Sequence, residues 1–155
     1  MDNIKMKCFR QETEWTCGPA VMRSILLSCD IRISERKLAK LMKTGKKHGT
    51  SNKQFVIAAN KFGLDNFTKK AASIKELKTA LKQKYRIIVC YYLKKEKTGH
   101  YALIRGINKK KIYLSDPSHI KPEGYSIKYF KTIWHGAKTP RGWFIAIKKI
   151  SRQEL

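Results

Sequence analysis

The sequence predicts an α+β fold, with N-terminal helices packed on a C-terminal antiparallel β-sheet. Three observations carry this. Before residue 86, apolar residues recur at helical spacing behind Ser and Thr caps. From Arg86 onward they gather into β-branched and aromatic runs. The helical segments precede the strands, an order that gives an antiparallel sheet with helices set to one side in the chain.

The elements follow in order. After Cys17, the positions Val21, Met22, Ile25, Leu26 and Cys29 repeat at helical spacing, so a first helix runs from about Cys17 to Cys29. Ser34 precedes ERKLAKLMK, and Thr50 or Ser51 precedes NKQFVIAANKFG; each serine or threonine is placed to cap an amphipathic helix, the second stopped by Gly63. Ser73 with Glu76 forms a capping box ahead of Leu77 and Leu81. The strand candidates are RIIVCYYL, HYALIRGI, KIYLS, a weaker GYSIKYF, and WFIAIKKI. Within FKTIW, residues 130–134, a short helix is expected, with Phe130 and Trp134 four apart and turned to the core.

No internal repeat, Pro/Ser-rich linker or low-complexity tract divides the 155 residues, so residues 1–155 read as a single domain, long enough to bury a core in two layers. The four cysteines (Cys8, Cys17, Cys29, Cys90) are widely spaced, form no C-x-x-C pair and follow a start without an apolar signal core, which reads as reduced thiols in a cytoplasm. No apolar run approaches the ~20 residues that span a bilayer. Lys and Arg number 35 against 11 Asp and Glu, for a formal charge of +24. Such a charge attracts nucleic acid, anionic lipid or acidic protein. The lysines are scattered through nearly every segment and no nucleic-acid motif accompanies them, so the charge reads as solvated surface rather than as a nucleic-acid footprint.

The chemistry centres on QETEWTCGPAVMRSI, residues 11–25, which sets a thiol at a helix start. The helix dipole there favours thiolate and would lower the thiol's pKa, although a buried cysteine beside a Gly-Pro helix entry has the same pattern. A cysteine nucleophile needs a base, usually a histidine oriented by a carboxylate or amide. His48, His119 and His135 lie in loops and read as surface or packing residues. His100 opens a strand directly after the turn-like KEKTG, where a helix start can face it. If HYALIRGI and KIYLS form a hairpin with residue 107 facing 111, Asp116 falls opposite Ala102, on the face of His100 and within diagonal reach of it. A one-residue slip would separate them. Gln11 supplies a side-chain amide beside the thiol, suited with the Cys17 N–H to an oxyanion.

The spaced set Q-x5-C-G-P-A, the Gly-Thr-Ser helix ending in K-F-G-L, T-G-H-Y-A-L-I-R-G-I, I-Y-L-S-D-P and F-x3-W-x-G resembles the bacteriocin-processing, double-glycine leader peptidases among the papain-like cysteine peptidases, from about Gln11 to Ile147. The resemblance implies Cys17 as nucleophile, His100 as base, Asp116 as orienting carboxylate and Gln11 as oxyanion donor, with no metal or cofactor. It implies a peptide or protein substrate cut after a small-small pair such as Gly-Gly. Well-known members are cytosolic domains of export transporters. This chain has no membrane segment or nucleotide-binding motif, so a transporter would be a separate partner. Two other readings stay open: transfer of the acyl group to an amine at the same site, and a catalytically silent basic binding module.

Overall fold

A computed structural model describes residues 5–119 and 121–151. In chain order the elements are α1 (Cys17–Ser28), α2 (Glu35–Leu41), α3 (Asn52–Lys61), β1 (Asp65–Lys69), α4 (Ile74–Lys82), β2 (Arg86–Leu93), β3 (Thr98–Ile107), β4 (Lys111–Ser115), β5 (Glu123–Ser126), α5 (Ile127–Ile133) and β6 (Phe144–Lys148). The strands form a six-stranded sheet in the order β1-β6-β2-β3-β4-β5, with antiparallel neighbours throughout. This is the α+β arrangement the sequence predicts.

Period-2 alternation gives the sheet two apolar faces, and helices cover both. Ile88, Cys90, Tyr101, Leu103, Ile145 and Ile147 face a core shared with α1, α2 and α3. Their neighbours Ile87, Val89, Tyr91, Ala102, Ile104 and Phe144 face a second core closed by α4 and α5. The chain therefore builds three layers where two were expected, because the central strands are apolar at successive positions and bury both sides.

Local chemistry explains most boundaries. The Ser34 side chain accepts the Lys37 N–H at 3.2 Å, and Ser73 and Glu76 form the reciprocal capping box. Gly63, at φ +67°, sits just past the end of α3 in a conformation costly for other residues. GYSIKYF, read as a strand, divides instead: β5 ends at Ser126, whose hydroxyl caps α5 by accepting the Tyr129 N–H at 3.1 Å. The short helix expected at 130–134 thus begins at Ile127, and its Phe130 and Trp134 stack at 5.3 Å in the second core. β1 carries one large apolar residue, Phe67, in a polar edge strand and has no period that sequence reading detects.

The hairpin that sets the site has an instructive register. Ile107 pairs with Ile112 and Gly106 with Tyr113, one residue away from the expected 107–111 pairing. A bulge between Ile104 and Gly106 takes up the extra residue Arg105, and beyond it Ile104 faces Leu114 and Leu103 faces Ser115. Continued one step, this register sets Asp116 beside Ala102. The bulge cancels the slip at the turn.

Candidate active site

α1 lies on β3, and its first turn approaches Thr50 so closely that a Cβ on Gly18 would meet Thr50 Oγ1 at 2.4 Å. Only glycine fits there without displacing Thr50. That contact seats the helix start, with Cys17 as its first residue, beside the beginning of β3. Gln11, Trp15, Cys17, Cys90, His100 and Ser118 are among the residues lining one open cleft of about 720 Å³.

His100 and Asp116 are both buried, at 7% and 3% exposure, which leaves their interaction little screened by water. His100 Nδ1 lies 3.0 Å from Asp116 Oδ2, a close contact with the oxygen off the ideal line of the ring N–H. The Tyr91 hydroxyl donates to the same carboxylate oxygen, and the Ser118 N–H and hydroxyl donate to Oδ1 at 2.8 and 2.6 Å. Burial alone would raise the Asp116 pKa. The close contact and charge of the His100 ring, with the donations from Ser118 and Tyr91, outweigh it and hold the carboxyl well below the usual range. Burial and the Asp116 charge push the Tyr91 phenol far up, so it stays a donor.

Cys17 departs from the sequence expectation. The residue is half-buried as a whole, but protein crowds its sulfur, and this desolvation pushes the thiol up to about 11. Backbone N–H groups of Tyr101, Gly18 and Cys17 pull it down, and the Asp116 charge adds to the rise. Desolvation outweighs these backbone donations. At neutral pH the resting sulfur is therefore a thiol that needs a base. Iodoacetamide alkylation mapped to Cys17 is expected to accelerate with pH across roughly pH 6 to 10; a plateau already reached below about pH 8 would show a preformed thiolate instead.

Gln11 is tied at two points. Its backbone N–H donates to Pro117 O at 2.7 Å, next to Asp116, and its Nε2 donates to Thr13 O at 2.7 Å. An amide nitrogen carries two hydrogens, so one remains for another acceptor. The structure brings Gln11, Cys17 and His100 to one cleft and sets Asp116 directly behind His100.

The other histidines are placed differently. His48 also lines the cleft, as an exposed loop residue. His135 stacks on Tyr92 at 5.0 Å, and His119 contacts the Lys121 carbonyl. Cys29 and Cys90 are buried, and burial pushes Cys90 up to about 12. Tyr91 and Ser118 escaped sequence reading. Extending hairpin pairing to the β2–β3 turn would have found Tyr91, which faces His100 across the ladder. No group of three or more His, Cys, Asp or Glu among the described residues is arranged to hold a metal ion.

Comparison with known proteins agrees with this architecture. The family model "Peptidase C39 family" matches residues 5–139. The peptidase domain of Streptococcus ComA, a bi-functional ABC transporter involved in a quorum-sensing pathway, superposes with a TM-score of 0.73 at 26% identity, over 94% of this chain and 98% of that one. A double-glycine motif protease from an AMS/PCAT transporter, solved with its leader peptide, shares the fold at a TM-score of 0.72 and 15% identity, over 96% of this chain and 94% of that one. An uncharacterized protein of Methanothermobacter thermautotrophicus is 27% identical over 108 residues, 70% of this chain and 69% of its own length. A match over most of the chain, on a fold that holds a cysteine and a histidine–aspartate pair around one cleft, makes this chain a member of the Peptidase C39 family and a cysteine peptidase.

Proposed function

We propose that the chain, as one domain over residues 1–155, hydrolyses peptide bonds through a thioester acyl-enzyme and cuts after a small-small pair such as Gly-Gly. The observation that carries this reading is the buried contact between His100 Nδ1 and Asp116 Oδ2, behind the cleft that holds Cys17 and Gln11.

With Nδ1 engaged by Asp116, the Nε2 atom of His100 is the free base. It takes the Cys17 proton as Sγ attacks the scissile carbonyl, which suits a thiol whose resting pKa is high. The negative charge that forms on the carbonyl oxygen is met by the Cys17 N–H and the second Nε2 hydrogen of Gln11. His100 returns the proton to the leaving amine, the Cys17 thioester remains, and water activated by the same imidazole hydrolyses it. Gln11→Ala is expected to lower kcat by about 10²- to 10³-fold with little change in KM, because an oxyanion donor acts mainly in the transition state. A raised KM at unchanged kcat would remove Gln11 from the mechanism.

Among the described residues no helix is long and apolar enough to cross a membrane. The reading is of a cytoplasmic enzyme acting on a peptide or protein substrate. Gly99 and Gly136 help line the cleft and touch each other there: a Cβ on Gly99 would meet Gly136 Cα at 2.8 Å and one on Gly136 would meet Cys90 Sγ at 2.8 Å, so that wall leaves no room for a side chain on either glycine. Small residues before the cut pass such a wall most easily. A peptide library randomised at the two positions before the cleaved bond is expected to return Gly-Gly or Gly-Ala. Preference for a large aromatic or charged residue there would overturn the specificity.

A further inference from the structure

The loop from Gln11 to Cys17 carries two of the groups assigned above, and helix capping does not set its shape. Thr16 stands at the N-cap of α1 but makes no capping bond. Its Oγ1 instead lies 2.7 Å from Thr13 Oγ1, accepts the Thr13 N–H at 3.1 Å, and has Glu35 Oε2 and the Thr13 carbonyl as acceptors, each at 3.3 Å. The same Glu35 oxygen accepts the Glu12 N–H at 2.7 Å. Thr13 in turn gives its carbonyl to Gln11 Nε2. A continuous path thus runs from Glu35 through Thr16 and Thr13 to the Gln11 amide.

Glu35 is a costly residue to keep in this place. It is 1% exposed on the first turn of α2, and its Oε1 is buried without a hydrogen-bond partner among the described residues. The Arg23 guanidinium reaches Glu12 Oε1 at 3.7 Å and acts on Glu35 only through its charge, with no ion pair to Glu35 among the described residues. Burying a carboxylate with one oxygen unpartnered costs free energy that an apolar side chain would not. What only an acceptor can do here is hold the Glu12 N–H and the Thr16 hydroxyl together, which ties both ends of the loop to α2.

We propose that Glu35 is a positioning residue for the oxyanion site: it holds the Gln11–Cys17 loop so that the Gln11 amide and the Cys17 N–H face one oxygen. This rests on the peptidase reading, and Glu35 acts through Gln11 without touching substrate. Both bonds go to one carboxylate oxygen, so the carbonyl of a glutamine can take them over.

The test compares Glu35→Ala, Glu35→Gln and Gln11→Ala/Glu35→Ala on a cleavable peptide, with hydrogen exchange of the Glu12 amide read on the same proteins. Glu35→Ala is expected to lower kcat by about 10- to 100-fold at nearly constant KM, the cost of a displaced catalytic group. Glu35→Gln is expected to restore most of it, and in the Gln11→Ala background the alanine change is expected to cost no more than about twofold. The Glu12 amide is expected to exchange at least about tenfold faster in Glu35→Ala than in Glu35→Gln. Equal losses in both backgrounds, a loss confined to KM, or an unchanged Glu12 exchange rate would overturn the proposal. Should Glu35→Ala not fold, Thr16→Val cuts the same path one bond later with nearly the same shape; the same losses in kcat are expected, and the Thr13 amide, whose acceptor is the Thr16 hydroxyl, replaces the Glu12 amide as the exchange readout for that variant. If the wild-type protein cleaves no peptide, the peptidase reading fails while the exchange rates still decide whether Glu35 holds the loop.

Discussion

Cys17→Ala is expected to lower peptide turnover by about 10⁴- to 10⁶-fold, the scale on which removal of a covalent nucleophile acts. The fold should survive, because the side chain opens α1 at the cleft wall and is not among the fully buried residues of the core. His100→Ala is expected to cost nearly as much, and the double variant little more than either single one, since nucleophile and base act as one unit. The residual rate should come from the oxyanion donors and binding alone. Independent, multiplying losses in the double variant would mean that His100 serves something other than the Cys17 proton.

Asp116→Asn carries the second-largest expected effect, a drop in kcat of about 10³- to 10⁴-fold with substrate affinity largely kept. Asp116 accepts from Tyr91, from the Ser118 N–H and hydroxyl, and contacts His100 Nδ1. An amide in its place offers one acceptor and two donors to a pocket built of donors, so the imidazole loses the charge that orients it and stabilises its protonated form. The variant should also lose stability with a defined pH signature. The native carboxyl is held below its unfolded value, so its contribution is present above about pH 4 and fades as acid protonates it. The gap in thermal stability between wild type and Asp116→Asn is therefore expected near neutrality and should shrink on acidification below that value. A gap that widens in acid would mean the carboxyl is not stabilised in its charged form.

Much of this arrangement was legible in the sequence because local rules act within a few residues. The Ser73–Glu76 box, the apolar repeat after Cys17 and the run RIIVCYYL each declare their element without outside help. β1 was not legible: an edge strand of polar residues is held by pairing with β6, and pairing is long-range. The site divides in the same way. Cys17, His100, Asp116 and Gln11 stand at helix starts, strand ends and turns that sequence rules can locate. The ionisation of Cys17 is set by burial, which no local pattern encodes, and so its thiol pKa lies above the free value where the helix dipole alone suggested the opposite. Tyr91 and Glu35 were hidden because each acts across a register or a loop, 25 residues from Asp116 in one case and 23 from Glu12 in the other. The turn-pairing error and the bulge at Arg105 compensate, so the placement of Asp116 held although its first step was one residue off.

The nucleophile itself is tested most directly by acid-quenching the enzyme during turnover of a Gly-Gly peptide and measuring the intact mass, followed by peptide mapping. The expected result is a transient adduct carrying the N-terminal fragment of the substrate, located on Cys17, released by hydroxylamine as a thioester, and lost in Cys17→Ala. Cleavage that proceeds with no adduct under conditions that trap it, or an adduct mapped to Cys8, Cys29 or Cys90, would contradict the assignment of Cys17.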